Sequence, residues 1–522
     1  MTTINKIKLL NFKRFESFEV EFEPDLNLLI GDNEAGKSSI LTAIDLTIRG
    51  SRNKVEAIGL EHLFNTNVIK TFLSSSRKLT DLPELKVELF LSKQSNEVTE
   101  GRNNSDKKEC DGIRLICKPN DDYSEYIKNI LDDPNCLFPF EFYSIKFTTF
   151  SDIPYHSYNK LLKHISIDNS QGNSEYAMIE YIKDIYNSTI ENIIEKNKHH
   201  HEYRSHKENY KINSFKEINS RLDDNYEFAI KSNSKSNLET DLTILDEGIS
   251  IDNKGKGKQC IIKTALALSR SGKDLEIVLL EEPENHLSHG NMKKLIHMIS
   301  ESNDKQIFIA THSDLISTRL DLRKSILLNS GSNGRVKLKD LPESTAKFFI
   351  KAPDNNILEF ILSKKVILVE GDAEFILADS MFTTSTQAQL DKCGIHVISV
   401  DGTSFARYLD IANLLKIKTA IITDNDGKYQ ANCIDRYSKY RKENLIEVFA
   451  DKDDNRKTFE ICMYQDNKEI CDDLFKGDRK TLTVLDYMLK NKAEAAYLLL
   501  ENKATQIKVP SYITEAFTWI KN

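Results

Sequence analysis

The chain has 522 residues, enough for two or three domains, and its composition of 39% hydrophobic and 29% charged residues excludes a disordered or fibrous protein. A formal net charge of −8 excludes global attraction to nucleic acid or anionic lipid, so any DNA contact must come from local basic surfaces. Eight cysteines without a C-x-x-C pair, no apolar signal core after Met1 and no run near the roughly 18 apolar residues that cross a bilayer predict a cytoplasmic protein with reduced thiols and no membrane partner.

In chain order, Ile4 to Phe22 reads as two strands joined by a polar turn at Lys13-Arg14. The apolar Leu28-Leu29-Ile30 then runs into a Gly-x4-Gly-Lys-Ser loop, Gly31 to Ser38, which opens a helix with Ile40, Leu41 and Ile44 on one face. Gly31 and Gly36 let backbone N–H groups turn inward on a nucleotide's phosphates, Lys37 reaches the β- and γ-phosphates, and Ser38 offers a hydroxyl to Mg²⁺. Asn33 and Ser39 complete the expected ATP contacts. Ile7 to Phe15 followed by Asn27 to Ser38 resembles the opening of ABC-type ATPases related to RecF, SMC and Rad50, in which two heads close on ATP.

Strands are expected at Leu85 to Leu91, Ile113 to Lys118 and Phe140 to Ile145, with a polar loop from Ser92 to Asp111. From Tyr176 to Phe228 the pattern turns helical, with Met178, Ile179, Ile182, Ile185, Tyr186, Ile190, Ile193 and Ile194 at three- and four-residue spacing. The stripe reads as a core face, with an inserted dimerisation arm as the alternative. His199, His200 and His201 point in different directions on any helix, so the surrounding Lys196 to Lys207 reads as a solvated basic surface, with a DNA-facing patch as the alternative.

Glu276 to Leu280 is an apolar strand ending in Glu281-Glu282-Pro283. A carboxylate at the end of a strand beside a phosphate loop can hold the Mg²⁺ shell, assigned to Glu281, and the next can orient or deprotonate the attacking water, assigned to Glu282. ABC proteins carry Asp-Glu here, so the pair departs from their pattern. The strand Ile307 to Ala310 leads to His312, which resembles the switch histidine that senses the γ-phosphate. Gly255-Lys-Gly257-Lys-Gln259 stands where the ABC signature would be and has the Gly-x-Gly-x-Gln form of overcoming-lysogenization-defect (OLD) nucleases. That resemblance implies an ATP-closed dimer, because a signature acts on the partner's nucleotide.

Near the carboxyl end, Lys365 to Val369, His396 to Gly402 and Thr419 to Thr423 read as strands separated by helices, one of them Phe405 to Leu415, which predicts a parallel sheet with its functional edge at the strand C-termini. Glu370-Gly-x-x-Glu374 and Asp424-Asn-Asp426 on that edge resemble the Toprim domain. The resemblance implies Mg²⁺ or Mn²⁺ held by Glu370, Asp424 and Asp426, a second ion completed by Glu374 and Glu460, and Lys492 offsetting charge on the scissile phosphate.

The expected organisation is α/β: an ABC ATPase in two parts, 1–170 and 241–345, a helical insertion at 171–240, a linker at 346–362 and a Toprim domain at 363–522. ATPase followed by Toprim in one chain is the order of the OLD family, which includes the nuclease of the Gabija system and retron-associated effectors. The resemblance implies an ATP-regulated, metal-dependent DNA endonuclease of antiphage defence, acting as a homodimer or tetramer. Its implied partners are a Gabija-like helicase or a reverse transcriptase with its RNA–DNA product. The alternative is a RecF- or Rad50-like repair ATPase with a non-cleaving Toprim fold.

Overall fold

In a computed structural model, the structure describes all residues except 94–95, 158–160, 171–174, 191, 223–225, 231–237, 273, 329–334, 353–355, 401–404 and 477–481. The Asp401 and Gly402 expected at a strand end therefore lie outside the described residues. The chain divides into two compact units, Met1–Thr311 with Leu328–Arg335, and His312–Leu327 with Val336–Asn522.

The described residues of the first unit form two large sheets and a short two-stranded one at 245–250. The hairpin β1 (Ile4–Phe12) and β2 (Phe15–Glu21) forms as expected, and β1 also pairs antiparallel with β4 (Leu85–Leu91), β4 with β5 (Cys110–Pro119), and β5 with β6 (Tyr143–Thr149). The phosphate-loop strand β3 (Leu26–Gly31) belongs to a parallel set in the order β3, β9 (Gln306–Ala310), β8 (Ile277–Glu281) and β7 (His164–Asp168). Leu28 to Ile30, Ile277 to Leu280 and Ile307 to Ala310 are all buried, which is why these strands read as unbroken apolar runs. The strand expected from Phe140 begins only at Tyr143. Phe140 to Phe142 forms a 3₁₀ turn after Pro139, and the Phe140 ring packs 5.7 Å from Phe64 and 4.6 Å from Phe138 instead of entering the sheet.

Helix α1 (Lys37–Arg49) starts at the phosphate loop and ends in a buried ionic cluster. Arg49 bonds Asp45 at 3.1 Å and Asp184 at 3.0 Å; Asp45 also takes His164 at 2.9 Å and Lys54 at 3.2 Å. These cations hold the Asp45 carboxyl well below its ordinary range despite burial. Asp184 lies on α2 (Glu175–Thr189), where Met178, Tyr181 and Ile182 are core residues. The apolar stripe does not continue as one face. Asn192 caps a new helix, α3 (Ile193–Ser214), and the phase is lost, leaving Ile193 67% and Ile194 77% exposed. On α3 the histidines diverge as expected, His199 meeting the Tyr186 hydroxyl at 3.0 Å while His200 faces Glu239 at 3.5 Å. Helix α4 (Lys256–Leu268) begins at the glycine-rich signature stretch.

In the second unit, 346–362 is not extended: α5 (Glu343–Lys351) and α6 (Ile357–Leu362) bury Phe349, Ile357 and Phe360 in the same core as Val366 and Leu368. This unit's sheet is wholly parallel, in the order β11 (Ile395–Ser399), β10 (Lys365–Val369), β12 (Lys418–Ile422) and β13 (Ile446–Phe449). Alternation along β10 sends Val366 and Leu368 toward α8 (Phe405–Leu415), and Ile367 and Val369 toward α7 (Asp372–Thr386), α10 (Lys492–Lys503) and α11 (Ser511–Lys521). Strand order reverses between β10 and β12, which opens a crevice at their C-terminal ends. Among the described residues no helix is long and apolar enough to cross a membrane.

Candidate functional site

Each unit presents one constellation. In the first, β3 ends at Gly31, where a Cβ would lie 2.4 Å from the Leu328 carbonyl oxygen, and Gly36 has φ +98° with the Phe15 ring 2.4 Å from where a Cβ would be. No side chain caps the first turn of α1, so its N–H groups remain for an anion. Lys37 donates to the carbonyls of Gly31 at 2.7 Å and Asp32 at 2.9 Å. Burial lowers its pKa from the ordinary lysine value, opposed by Glu282, Asp32, Glu284 and Glu281. Asn33 and Ser38 are exposed on this loop and Ser39 is half-buried.

Ser38 hydrogen-bonds the Glu281 carboxylate, whose pKa burial raises, helped by Asp168 and Glu282 and resisted by Ser38 and Lys13. Asp168 ends β7 directly opposite Glu281 in register. Glu282 adopts φ +44°, and its Oε2 accepts from Asn285 Nδ2 at 2.7 Å. Glu284 Oε1 accepts from Thr311 Oγ1 at 2.6 Å. The Gly255 position is open, whereas a Cβ on Gly257 would lie 2.4 Å from the His286 carbonyl oxygen, so α4 packs closely on the loop that follows Glu282. His312 directly follows the first unit's Thr311 and belongs to the second unit.

The second constellation lies at the β10–β12 crevice. Glu370 follows β10, and its Oε2 accepts from Thr423 Oγ1 at 2.9 Å and the Asp424 amide at 3.1 Å. Asp424 Oδ1 accepts from the Phe459 amide at 2.8 Å, at the start of α9 (Phe459–Asp466). Burial, then Glu370 and Glu460, push the Asp424 carboxyl up to about 7. Glu374, in the first turn of α7, is pushed up to about 8 by burial, then Asp424, Glu460 and Glu370. Glu460 is 3% exposed; its Oε1 lies 3.2 Å from Lys492 Nζ and its Oε2 is buried without a hydrogen-bond partner. Asp426 is exposed, in a left-handed conformation at φ +50°.

Five of the six expected residues, Glu370, Glu374, Asp424, Glu460 and Lys492, thus act on one another, with Asp426 at the rim. Among the described residues no group of three or more His, Cys, Asp or Glu side chains is drawn together as a metal-ion ligand set. Glu370, Asp424 and Glu460 instead take hydroxyl, amide and ammonium partners. Buried hard oxygen donors around an orphaned carboxylate oxygen have the chemistry a divalent cation takes, and Glu370, Glu374, Asp424, Asp426 and Glu460 are the residues that would hold it.

Sequence reasoning missed Asp168, Glu284, Asn285, Thr311, Thr423 and Asn425. Asn425 is 1% exposed and ties the Asp424 loop to the carbonyls of Asp451 at 2.8 Å and Asp453 at 2.9 Å. Its place between two aspartates, and that of Glu284 just past the Glu-Glu pair, are signals the sequence carries. Asp168 has none, because only strand pairing brings it to Glu281.

A phosphate-loop centre in one unit and a carboxylate crevice at the switch point of a parallel sheet in the other define an ATPase–Toprim protein. A family model described as AAA ATPase domain matches residues 3–316, and one described as overcoming lysogenization defect protein-like, TOPRIM domain, matches residues 361–426. With more than half of its length matched by the first, the chain belongs to the AAA ATPase family, in the ATPase–Toprim arrangement of OLD proteins.

Solved structures similar to it include the C-terminal region of the Burkholderia pseudomallei OLD protein, at 20% identity over 30% of this chain and 97% of that one, TM-score 0.24. The SMC head domain from Thermotoga maritima is similar at 14% identity over 63% and 94%, TM-score 0.30. The recombination mediator protein RecF with ATP is similar at 13% over 64% and 99%, TM-score 0.34. No curated protein matches the chain.

Proposed function

We propose that this protein is an ATP-regulated, divalent-metal-dependent DNA endonuclease of antiphage defence. The observation that carries the reading is the crevice between β10 and β12, where four mutually repelling carboxylates meet one lysine. Bound Mg²⁺ or Mn²⁺ supplies Lewis-acid stabilisation of a phosphodiester and lowers the pKa of an attacking water. Glu370, Asp424 and Asp426 would hold one ion and Glu374 and Glu460 a second, while Lys492 would offset charge developing on the scissile phosphate. In the first unit, the Gly31–Ser39 loop and Lys37 would cradle the triphosphate of ATP, Ser38 and Glu281 would hold its Mg²⁺, and Glu282 would orient the attacking water. Gly255 and Gly257 face the nucleotide of a second copy in a homodimer or tetramer. A helicase or a reverse transcriptase with its RNA–DNA product is the proposed partner.

The test is cleavage of DNA by purified protein with Mg²⁺ or Mn²⁺. Asp424→Ala and Glu370→Ala are expected to abolish cutting while leaving the protein folded and ATP binding intact. Wild-type cutting rates in Glu370→Ala would remove the nuclease assignment, and a repair ATPase with a non-cleaving Toprim fold would replace it.

A further inference from the structure

The carboxylate crevice has an electrostatic problem that its own residues do not solve. In a chain of net charge −8, a crevice of four carboxylates with Asp426 at its rim and one lysine offers little of its own charge to a polyanion, so cations placed beside it would carry the grip on DNA. The stretch that leaves the crevice directly after Asp426 has that character. Residues 428–442 carry five cations, Lys428, Arg436, Lys439, Arg441 and Lys442, against the single carboxylate of Asp435. All five cations are exposed. Arg441 is held by Glu447 and Lys439 by the Tyr440 side chain, while Lys428, Arg436 and Lys442 are in no ion pair among the described residues.

The stretch is fixed to the site. The Lys428 amide donates to the Asn425 carbonyl at 2.9 Å, Asn432 Nδ2 donates to the same carbonyl at 3.0 Å, and the Tyr429 amide donates to Asp454 at 2.8 Å. A short π-helical turn, Gln430–Asp435, brings Cys433 inward, its Sγ 3.7 Å from the Asp424 carbonyl oxygen. Such turns insert one residue into the helical repeat and re-aim the side chains beyond it. Farther along, Tyr437 and Tyr440 are buried, Tyr437 packing edge-on to Phe405 and the Tyr440 hydroxyl donating to Asp410 at 3.0 Å. Arg436 lies 5.6 Å over the Tyr437 ring and Lys439 4.5 Å over the Tyr440 ring, so each cation is carried on an anchored aromatic face. Tyrosines anchored inside with cations outside hold a row of positive charge in place beside the crevice, as a phosphate-tracking surface requires.

We infer that residues 428–442 form a DNA-backbone docking strap, in which Lys428, Arg436 and Lys439 grip phosphates flanking the one presented to the crevice. This inference rests on the nuclease reading of the same unit. The occupant is DNA read through its phosphates, without base specificity.

The test compares wild type with Lys428→Gln/Arg436→Gln/Lys439→Gln, a milder Lys428→Gln/Lys439→Gln form, and a control with Lys392→Gln and Lys468→Gln elsewhere on the unit. DNA binding is followed by fluorescence anisotropy across salt concentration, beside cleavage kinetics and thermal melting. The triple variant is expected to bind at least tenfold more weakly at any DNA sequence, with its log Kd against log salt slope lowered by about 0.9 per cation removed. KM should rise while kcat, melting and ATP hydrolysis stay at wild-type values. The double form should lie in between, which keeps the result readable if the triple variant melts early. A triple variant with wild-type affinity and salt slope, while the wild type cuts DNA, would overturn the strap alone. A wild type that neither binds nor cuts DNA would overturn the nuclease reading and the strap with it.

Discussion

At the residue scale, the crevice carboxylates store repulsion that protons or a cation can relieve. Asp424 is raised to about 7 from an ordinary 3.8, and Glu374 to about 8 from 4.5. Between about pH 4 and pH 8 the folded protein therefore keeps protons that the unfolded chain has released. For groups raised in this way, stability is fully present below the unfolded pKa values and declines as pH rises through the folded ones. In EDTA, Tm should fall from pH 5 to pH 8. Asp424→Asn should flatten that decline and raise Tm at pH 8, and Mg²⁺ should restore the wild-type protein. Calorimetry across pH checks this; a Tm in EDTA that climbs toward pH 8 would show that the carboxylates do not oppose one another.

At the element scale, the close approach of α4 to the loop after Glu282 depends on one missing methyl group. A Cβ at Gly257 would lie 2.4 Å from a backbone oxygen, and backbone cannot turn aside as a flexible side-chain tip can. Gly257→Ala should therefore displace the N-terminus of α4, and light scattering should show ATP-dependent dimerisation weakened while nucleotide binding by one copy persists. Gly255→Ala, in open space, should be far milder; equal behaviour of the two variants would remove the packing argument.

Elements of this kind were legible where their pattern is local. Lys365–Val369 and Phe405–Leu415 have the bounds their sequence indicates, because an unbroken apolar run and a helical stripe each specify their own burial. The same holds for Glu370, Asp424 and Lys37, which sit at strand ends or in a glycine-bracketed loop. What escaped was non-local. Phe140 went to an aromatic cluster that includes Phe64, far away in the chain, and the stripe past Ile190 lost its phase at an Asn cap. Residues 346–362 read as a linker from the stretch at 351–356, although apolar residues on either side of it, Phe349, Ile357, Phe360 and Ile361, are core.

At the scale of the whole molecule, the phosphate loop and the carboxylates that would cut lie in separate units, so ATP can influence cleavage only through a conformation or assembly that both share. Lys37→Ala removes the charge that favours β- and γ-phosphates and leaves Glu370, Asp424, Asp426 and Lys492 in place. Nuclease assays across ATP concentration should respond in wild type and be flat in Lys37→Ala, which should retain metal-dependent cutting and lose phage protection. Superimposable curves would mean that the two units are only tethered.

The ionic cluster around Arg49 bears on how the first unit can move. Helix α1 has 13 residues, so it is a stiff rod roughly 20 Å long, with Lys37 at one end and Arg49 at the other. Its far end is gripped by Asp184 on α2. A push on the rod at the phosphate end therefore bears on α2 as well, so the loop that would meet the nucleotide and a helix more than a hundred residues further along the chain share one stiff connection.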